Sequence, residues 1–141
     1  QHKTKKLLKY LDKDKLITPH KAEFHRLFPS IKSNLENNEK ILNFLKLCKS
    51  NILLKGNTTL IGSNKKIIKN LHSSSELAVI GSGDVLAGMI ASLVGDNKMS
   101  MFEAAAAGVW LHGDIAKKYG RGLISEDLIK GIPSALKRLK K

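Results

Sequence analysis

Apolar positions along the chain switch between helical and strand spacing. Leu7, Leu8 and Leu11 fall on one side of a helix over 3–11, and a short apolar run over 16–18 leads into Pro19 as a strand. Residues 21–28 read as a short helix broken before Pro29. Ile41, Leu42, Leu45 and Cys48 recur at three-to-four spacing and predict an amphipathic helix over 37–50. Asn51–Leu54 is a buried-type strand, Lys55-Gly56-Asn57 a turn, and further strands follow over 58–61 and 66–69. A helix over 84–94 comes next. Ser100 and Glu103 then form the sequence signature of a capping box, opening a helix that runs to about Tyr119. Its run of small residues, Ala104 to Gly108, predicts close packing against another element. Ser125 with two following acids starts a helix over 126–131, and Pro133-Ser134 leads into a separate terminal one. Helices alternating with short strands indicate an α/β protein with a mostly parallel sheet.

The stretch 77–88, LAVIGSGDVLAG, carries the densest chemistry. An apolar run meets a Gly-Ser-Gly turn, and Asp84 stands where an apolar helix opens. Glycines at 81 and 83 permit unusual backbone conformations and close approach of a ligand. Turn amides converging with the positive end of a helix make an anion site, for phosphate above all. A carboxylate at the mouth of such a site suits the orientation or deprotonation of a hydroxyl near a phosphate. An ordinary Gly-rich turn with Asp84 as helix N-cap accounts for the same residues.

Composition excludes more than it selects. The 141 residues, 42% hydrophobic and 26% charged, fit one soluble domain, and no apolar stretch is long enough to span a bilayer as a helix. The basic N-terminus lacks the apolar centre of a signal peptide and an initiator methionine, as expected of a fragment or processed product. The single Cys48 excludes an internal disulfide and fits a reducing cytoplasm. A net charge of +13 raises nucleic acid as a partner, but 22 of the 25 basic residues are Lys and only 5% of the chain is aromatic. Base-reading proteins favour the bidentate fork of Arg, and single-strand binders interleave aromatics, so the lysines read as a solvated surface.

Four blocks, ITPHKAEFHRLF (17–28), LLKGNTTLI (53–61), LAVIGSGDVLAGMIASLVG (77–95) and AAAAGVWLHGDIAKKYGRGLISEDLIKGIPSAL (104–136), occur in an order that resembles the C-terminal half of the nucleotide-dependent NAD(P)H-hydrate dehydratases. The resemblance implies an α/β, ribokinase-like fold with helices flanking a mostly parallel sheet, residues 1–141 forming a partial domain whose N-terminal half is missing. It implies a lyase that repairs hydrated NADH or NADPH using ADP or ATP, with Mg²⁺ on the phosphates; the sequence itself shows no protein metal site. His20 matches the histidine lining the hydrated-nicotinamide site; the alternative is a cap on the next helix. Glu23 of the same block would hold its backbone, and His25 would be helix surface. Lys55, Gly56, Asn57, Thr58 and Thr59 match the nucleotide-contacting turn, which is also hairpin chemistry. Gly81, Ser82 and Gly83 match the anion hole, with Gly83 near the nucleotide and Asp84 catalytic at the substrate hydroxyl.

The chain departs from the family pattern in three places. Ser73-Ser74-Ser75-Glu76 replaces the usual Gly-Asn-Pro, and Val79-Ile80 is a bulkier pair before the turn that narrows the approach to the phosphates. The length is about half that of the family's domain, which implies either a homo-oligomer or pairing with the missing half. A kinase of the same fold acting on a vitamin-like alcohol such as a hydroxymethylpyrimidine, and a non-catalytic remnant or subunit, are the alternatives. No membrane partner is expected.

Overall fold

Two strands can lie parallel only when a long crossover returns the chain to the same end of the sheet. That crossover is what residues 18–50 provide. The structure, a computed structural model, describes residues 2–64 and 66–139. It divides into two units, Gln1–Lys69 and Asn70–Lys141.

The first unit opens with helix α1 (His2–Leu8) and strand β1 (Leu16–Ile17), followed by α2 (Lys21–Leu27) and α3 (Asn37–Leu47). Strands β2 (Asn51–Leu54), β3 (Thr59–Ser63) and β4 (Lys66–Asn70) complete it, the last residue of β4 falling at the unit boundary. The sheet order is β1-β2-β3-β4. β1 pairs with β2 in parallel through α2 and α3, Leu16 opposite Asn51. β2 and β3 are antiparallel, with Leu53 opposite Ile61. The expectation of a mostly parallel sheet is corrected here: the sheet is mixed, because residues 55–58 are too few for a crossover and can only form a hairpin. Three of the lysines read as solvated surface, at 65, 140 and 141, lie outside the described residues.

The core of this unit is aromatic. Phe24 of the second helix and Phe28, the residue that caps its end, meet Phe44 of the third, with ring centroids 5.2 Å apart for Phe24–Phe28 and 5.0 Å for Phe28–Phe44. Ile41, Ile52, Leu54 and Leu60 close around them, and Leu7, Leu8 and Leu11 pack against this cluster, although the helix expected over 3–11 ends at Leu8 and leaves Leu11 beyond it. On α3 the buried stripe runs through Ile41 and Phe44, while Leu42 is turned out to solvent. All four residues of β2 are buried: Ile52 to Leu54 as their apolar run implies, and polar Asn51 with its side-chain amide donating to the Lys13 and Lys15 carbonyls.

The second unit is helical: a 3-10 turn (Ser75–Leu77), α4 (Ser82–Gly95), α5 (Met101–Tyr119) and α6 (Ser125–Leu139). The Ser100–Glu103 capping box forms as expected, with the Ser100 amide donating to the Glu103 carboxylate at 3.1 Å and the Glu103 amide to the Ser100 hydroxyl at 3.3 Å. Ala104, Ala105 and Gly108 are buried, and Ile90 of α4 lies directly on Gly108, where any larger residue would hold the two helices apart. The break expected at Pro133 is absent. α6 runs through it because Leu128, Ile132 and Ala135 form one continuous apolar stripe packed in the same core. Among the described residues no helix is long and apolar enough to cross a membrane.

Candidate functional site

In the first unit, the parallel pairing of β1 and β2 extends past the strands themselves. The Lys55 amide donates to the Pro19 carbonyl at 2.9 Å, and His20 lies opposite Lys55 in an isolated parallel bridge. The carboxyl ends of two adjacent strands therefore present His20 and Lys55 side by side, the position at which open α/β sheets bind ligands. His20 is exposed and caps α2: its Nδ1 accepts from the Ala22 amide at 3.2 Å and the Glu23 amide at 3.3 Å. The Glu23 carboxylate returns a bond to the His20 amide at 2.8 Å, the backbone-holding role expected of it. That bond, first among several causes, holds the Glu23 carboxyl below its ordinary range. With Nδ1 accepting, the tautomer assigned to neutral His20 carries its proton on Nε2, 3.4 Å from Glu23 Oε1. Capping thus occupies one ring nitrogen and leaves the other able to donate. Thr18, Pro19 and Glu23 border an open cavity of about 420 Å³.

Lys55, Gly56, Asn57 and Thr58 form the hairpin turn into β3, and Thr59 is buried at the start of that strand. Hairpin geometry and the nucleotide-turn pattern coincide on the same residues. Thr58 also lines a small polar cavity of about 150 Å³ with Glu36, Asn38 and Lys69.

In the second unit the glycine turn opens α4. Gly81 is its N-cap with φ of 83°, the left-handed region that glycine enters without strain. Gly83 is an ordinary first-turn helical residue, so the turn needs one unusual backbone conformation and not two. Asp84 is the third helical residue and exposed, which corrects the alternative that made it the N-cap. An acid in the first turn also complements the helix dipole, by about 0.3–1 kcal/mol. Asp84 stands at the rim of a largely apolar groove of about 560 Å³, walled by Val85, Met89, Leu111, Ile132 and Leu136. Ile80 is fully exposed, and the Ser74 hydroxyl accepts from the Glu76 amide at 3.2 Å, capping the 3-10 turn that stands where the family has Gly-Asn-Pro.

Three side-chain donors hold the carbonyls of this turn. Ser82 Oγ donates to Leu77 O at 2.8 Å, Ser125 Oγ donates to Ile80 O, and His112 Nε2 lies 3.0 Å from Ser82 O. A carbonyl only accepts, so His112 carries its proton on Nε2. His112 is a residue that sequence reasoning passed over. The available signal was its place on the buried stripe of α5 with Ala105, Gly108, Val109 and Ala116: a polar ring on an apolar face needs a buried partner.

Burial pushes the His112 imidazole below its usual pKa, with the Ser82 bond opposing, and burial does the same to His25, which is half-buried edge-on to the Phe24 ring and not on the helix surface as expected. In both cases the unfolded chain binds a proton more readily than the folded one, so acid favours unfolding. Stability is expected to be fully present above about pH 6.5, the ordinary histidine value. It should decline as pH falls below that value and through the folded ones. Denaturant midpoints measured from pH 8 to pH 5 check this, and His112→Gln should flatten part of the slope.

The start of α4, a 14-residue helix, fits a phosphate group through the Gly81 and Gly83 amides, since the Ser82 amide already donates to Val79 O at 3.3 Å and the Asp84 amide to Gly81 O at 3.0 Å. Among the described residues no group of three or more His, Cys, Asp or Glu side chains could hold a metal ion.

A family model described as NAD(P)H-hydrate dehydratase matches residues 1–134. An ADP-dependent (S)-NAD(P)H-hydrate dehydratase of Nitrosopumilus maritimus is 33% identical over 133 residues, covering 89% of this chain and 46% of that protein. The chain thus spans about half the length of that relative. A crystal structure of the ADP/ATP-dependent NAD(P)H-hydrate dehydratase of Bacillus subtilis, co-crystallised with ATP/Mg²⁺, superposes with a TM-score of 0.75 at 27% identity, over 91% of this chain and 52% of that one. A ribokinase-like superfamily protein of Enterococcus faecalis, at 23% identity and a TM-score of 0.77 over 90% of this chain and 45% of its own, shares the fold.

Proposed function

The chain belongs to the NAD(P)H-hydrate dehydratase family, and from that membership we propose that it serves in nucleotide-dependent dehydration of hydrated NADH or NADPH, the repair of a damaged nicotinamide cofactor. The observation that carries this reading is the family match across residues 1–134. Hydroxide leaves poorly, and ADP or ATP, with Mg²⁺ on its phosphates, supplies a phosphoryl group that makes the substrate oxygen a good leaving group. The ring nitrogen's lone pair then expels phosphate, and loss of a proton from the adjacent carbon restores the dihydronicotinamide.

The chain's own residues have separate tasks. Asp84 orients the substrate hydroxyl and takes its proton. Gly81, Ser82 and Gly83, with the start of α4, stabilise negative charge on the transferring group. Lys55 offers a mobile positive charge beside the close-approach backbone of Gly56 and Asn57 and the hydroxyls of Thr58 and Thr59. His20, with Nε2 able to donate, contacts the hydrated nicotinamide. Because the chain spans about half of the relatives' length, the remainder of the pocket comes from a further segment, a second copy or a partner chain.

The test supplies hydrated NADH with ADP, then with ATP, and follows the return of NADH absorbance. The expected result is nucleotide-dependent recovery with release of inorganic phosphate by the complete protein. The 141 residues alone are expected to bind nucleotide weakly and to leave the substrate hydrated. Retention of phosphate on an alcohol product would instead mark a kinase.

A further inference from the structure

We propose that His112 and Ser125 are positioning residues that aim the amides of Gly83 and Gly81 at the bound phosphate, a role that rests on the nucleotide reading above. The argument begins with the peptide group. It is planar and trans, so the carbonyl of one residue and the amide of the next point in opposite directions. Fixing a carbonyl oxygen therefore aims the following N–H. The Ser82 carbonyl shares its peptide with the Gly83 amide, and His112 Nε2–H holds that oxygen from 3.0 Å. The Ile80 carbonyl shares its peptide with the Gly81 amide, and the Ser125 hydroxyl holds that one.

Both donors come from rigid supports. His112 is only 5% exposed in the middle of the 19-residue α5, flanked by buried Leu111 and Gly113. Ser125 opens α6, whose first turn is tied by the Asp127 carboxylate accepting from the Ile124 amide at 3.1 Å. Gly81 leaves room for the Ser125 hydroxyl: a Cβ there would sit 2.9 Å from Oγ. Ser82 closes the set, buried and bonded to Leu77 O at 2.8 Å. Each tether also occupies a carbonyl oxygen that would otherwise repel an anion. What faces outward is the amide side of the turn.

The test uses the 141-residue chain labelled with ¹⁵N and titrated with ADP, then with inorganic phosphate, following the Gly81 and Gly83 amide resonances. His112→Leu and Ser125→Ala are each expected to weaken ADP binding by about tenfold, the scale of one misdirected charge-assisted hydrogen bond. His112→Gln, whose side-chain amide can donate from about the place of Nε2–H, should stay within about threefold of the parent. Thermal melts accompany every variant. Binding by His112→Leu equal to the parent's overturns the proposal. So does a His112→Gln chain that melts normally yet binds as poorly as His112→Leu, since packing would then be the whole role. If His112→Leu does not fold, Ser125→Ala decides: parental affinity in that variant overturns the proposal, and weakened binding with a normal melt supports it. A parent chain whose amides respond to neither ADP nor phosphate fells the nucleotide reading together with this one. Binding that survives every variant fells only this one.

Discussion

Asp84→Asn is expected to cut turnover in the complete protein by about a hundredfold or more, the usual scale of a lost general base, with nucleotide affinity hardly changed. Asparagine keeps the size of the side chain and a polar oxygen, so the exposed third position of α4 is not disturbed sterically. What disappears is the charge and the ability to take a proton. Binding of phosphate should not suffer, because the sites facing it are backbone amides and the carboxylate was, if anything, repulsive. Stability should fall only slightly, by the few tenths of a kcal/mol that a first-turn acid contributes against the helix dipole. Recovery of NADH absorbance at saturating nucleotide gives the turnover, and calorimetric titration gives the affinity. Near-parental turnover would leave Asp84 as a helix-terminus acid and nothing more, while the fold and the nucleotide turn would stand.

The local geometry of the candidate site was legible where sequence states local chemistry. A glycine-serine-glycine turn before an apolar helix announces a helix start with a left-handed residue, and the structure has one at Gly81. The Ser100–Glu103 box and the three apolar residues of β2, Ile52 to Leu54, likewise determine their own conformation. Readings that depended on partners distant in sequence fared less well. The sense of β3 was set by the shortness of the 55–58 connection, which a count of residues would have revealed. Pro133 looked like a helix boundary until the apolar stripe on either side of it proved to be one surface. Lys40 is 2% exposed and its ammonium is pushed below the usual range, first by burial; nothing in its neighbours along α3 marks it as different from any surface lysine. His112 escaped notice for a similar reason, since the carbonyl it holds lies thirty residues earlier.

Gly113→Ala is expected to destabilise the chain by about 2–3 kcal/mol, against the rule that alanine improves a helix by about 1 kcal/mol. Gly113 lies inside α5, where propensity alone favours the change. Its missing side chain, however, is the space through which the chain at 72–73 passes: a Cβ would overlap the His72 carbonyl oxygen and lie 2.9 Å from its carbon and 3.4 Å from Ser73 Cα. These atoms are backbone and cannot rotate away. The segment is pinned besides. The His72 ring stacks on Trp110 at 4.9 Å, its Nδ1 lies 3.2 Å from Lys117 Nζ, and its Nε2 lies 3.5 Å from the buried carboxylate of Asp114. Relief therefore requires either displacing α5 or undoing these contacts together. The melting temperature should drop by roughly 5–10 °C. Gly88→Ala is the control, because nothing lies within 4 Å of a Cβ at that helical position and the substitution should be neutral or stabilising. Equal melting temperatures for the two alanine variants would show that the segment at 72–73 can yield, and that helix propensity governs both sites.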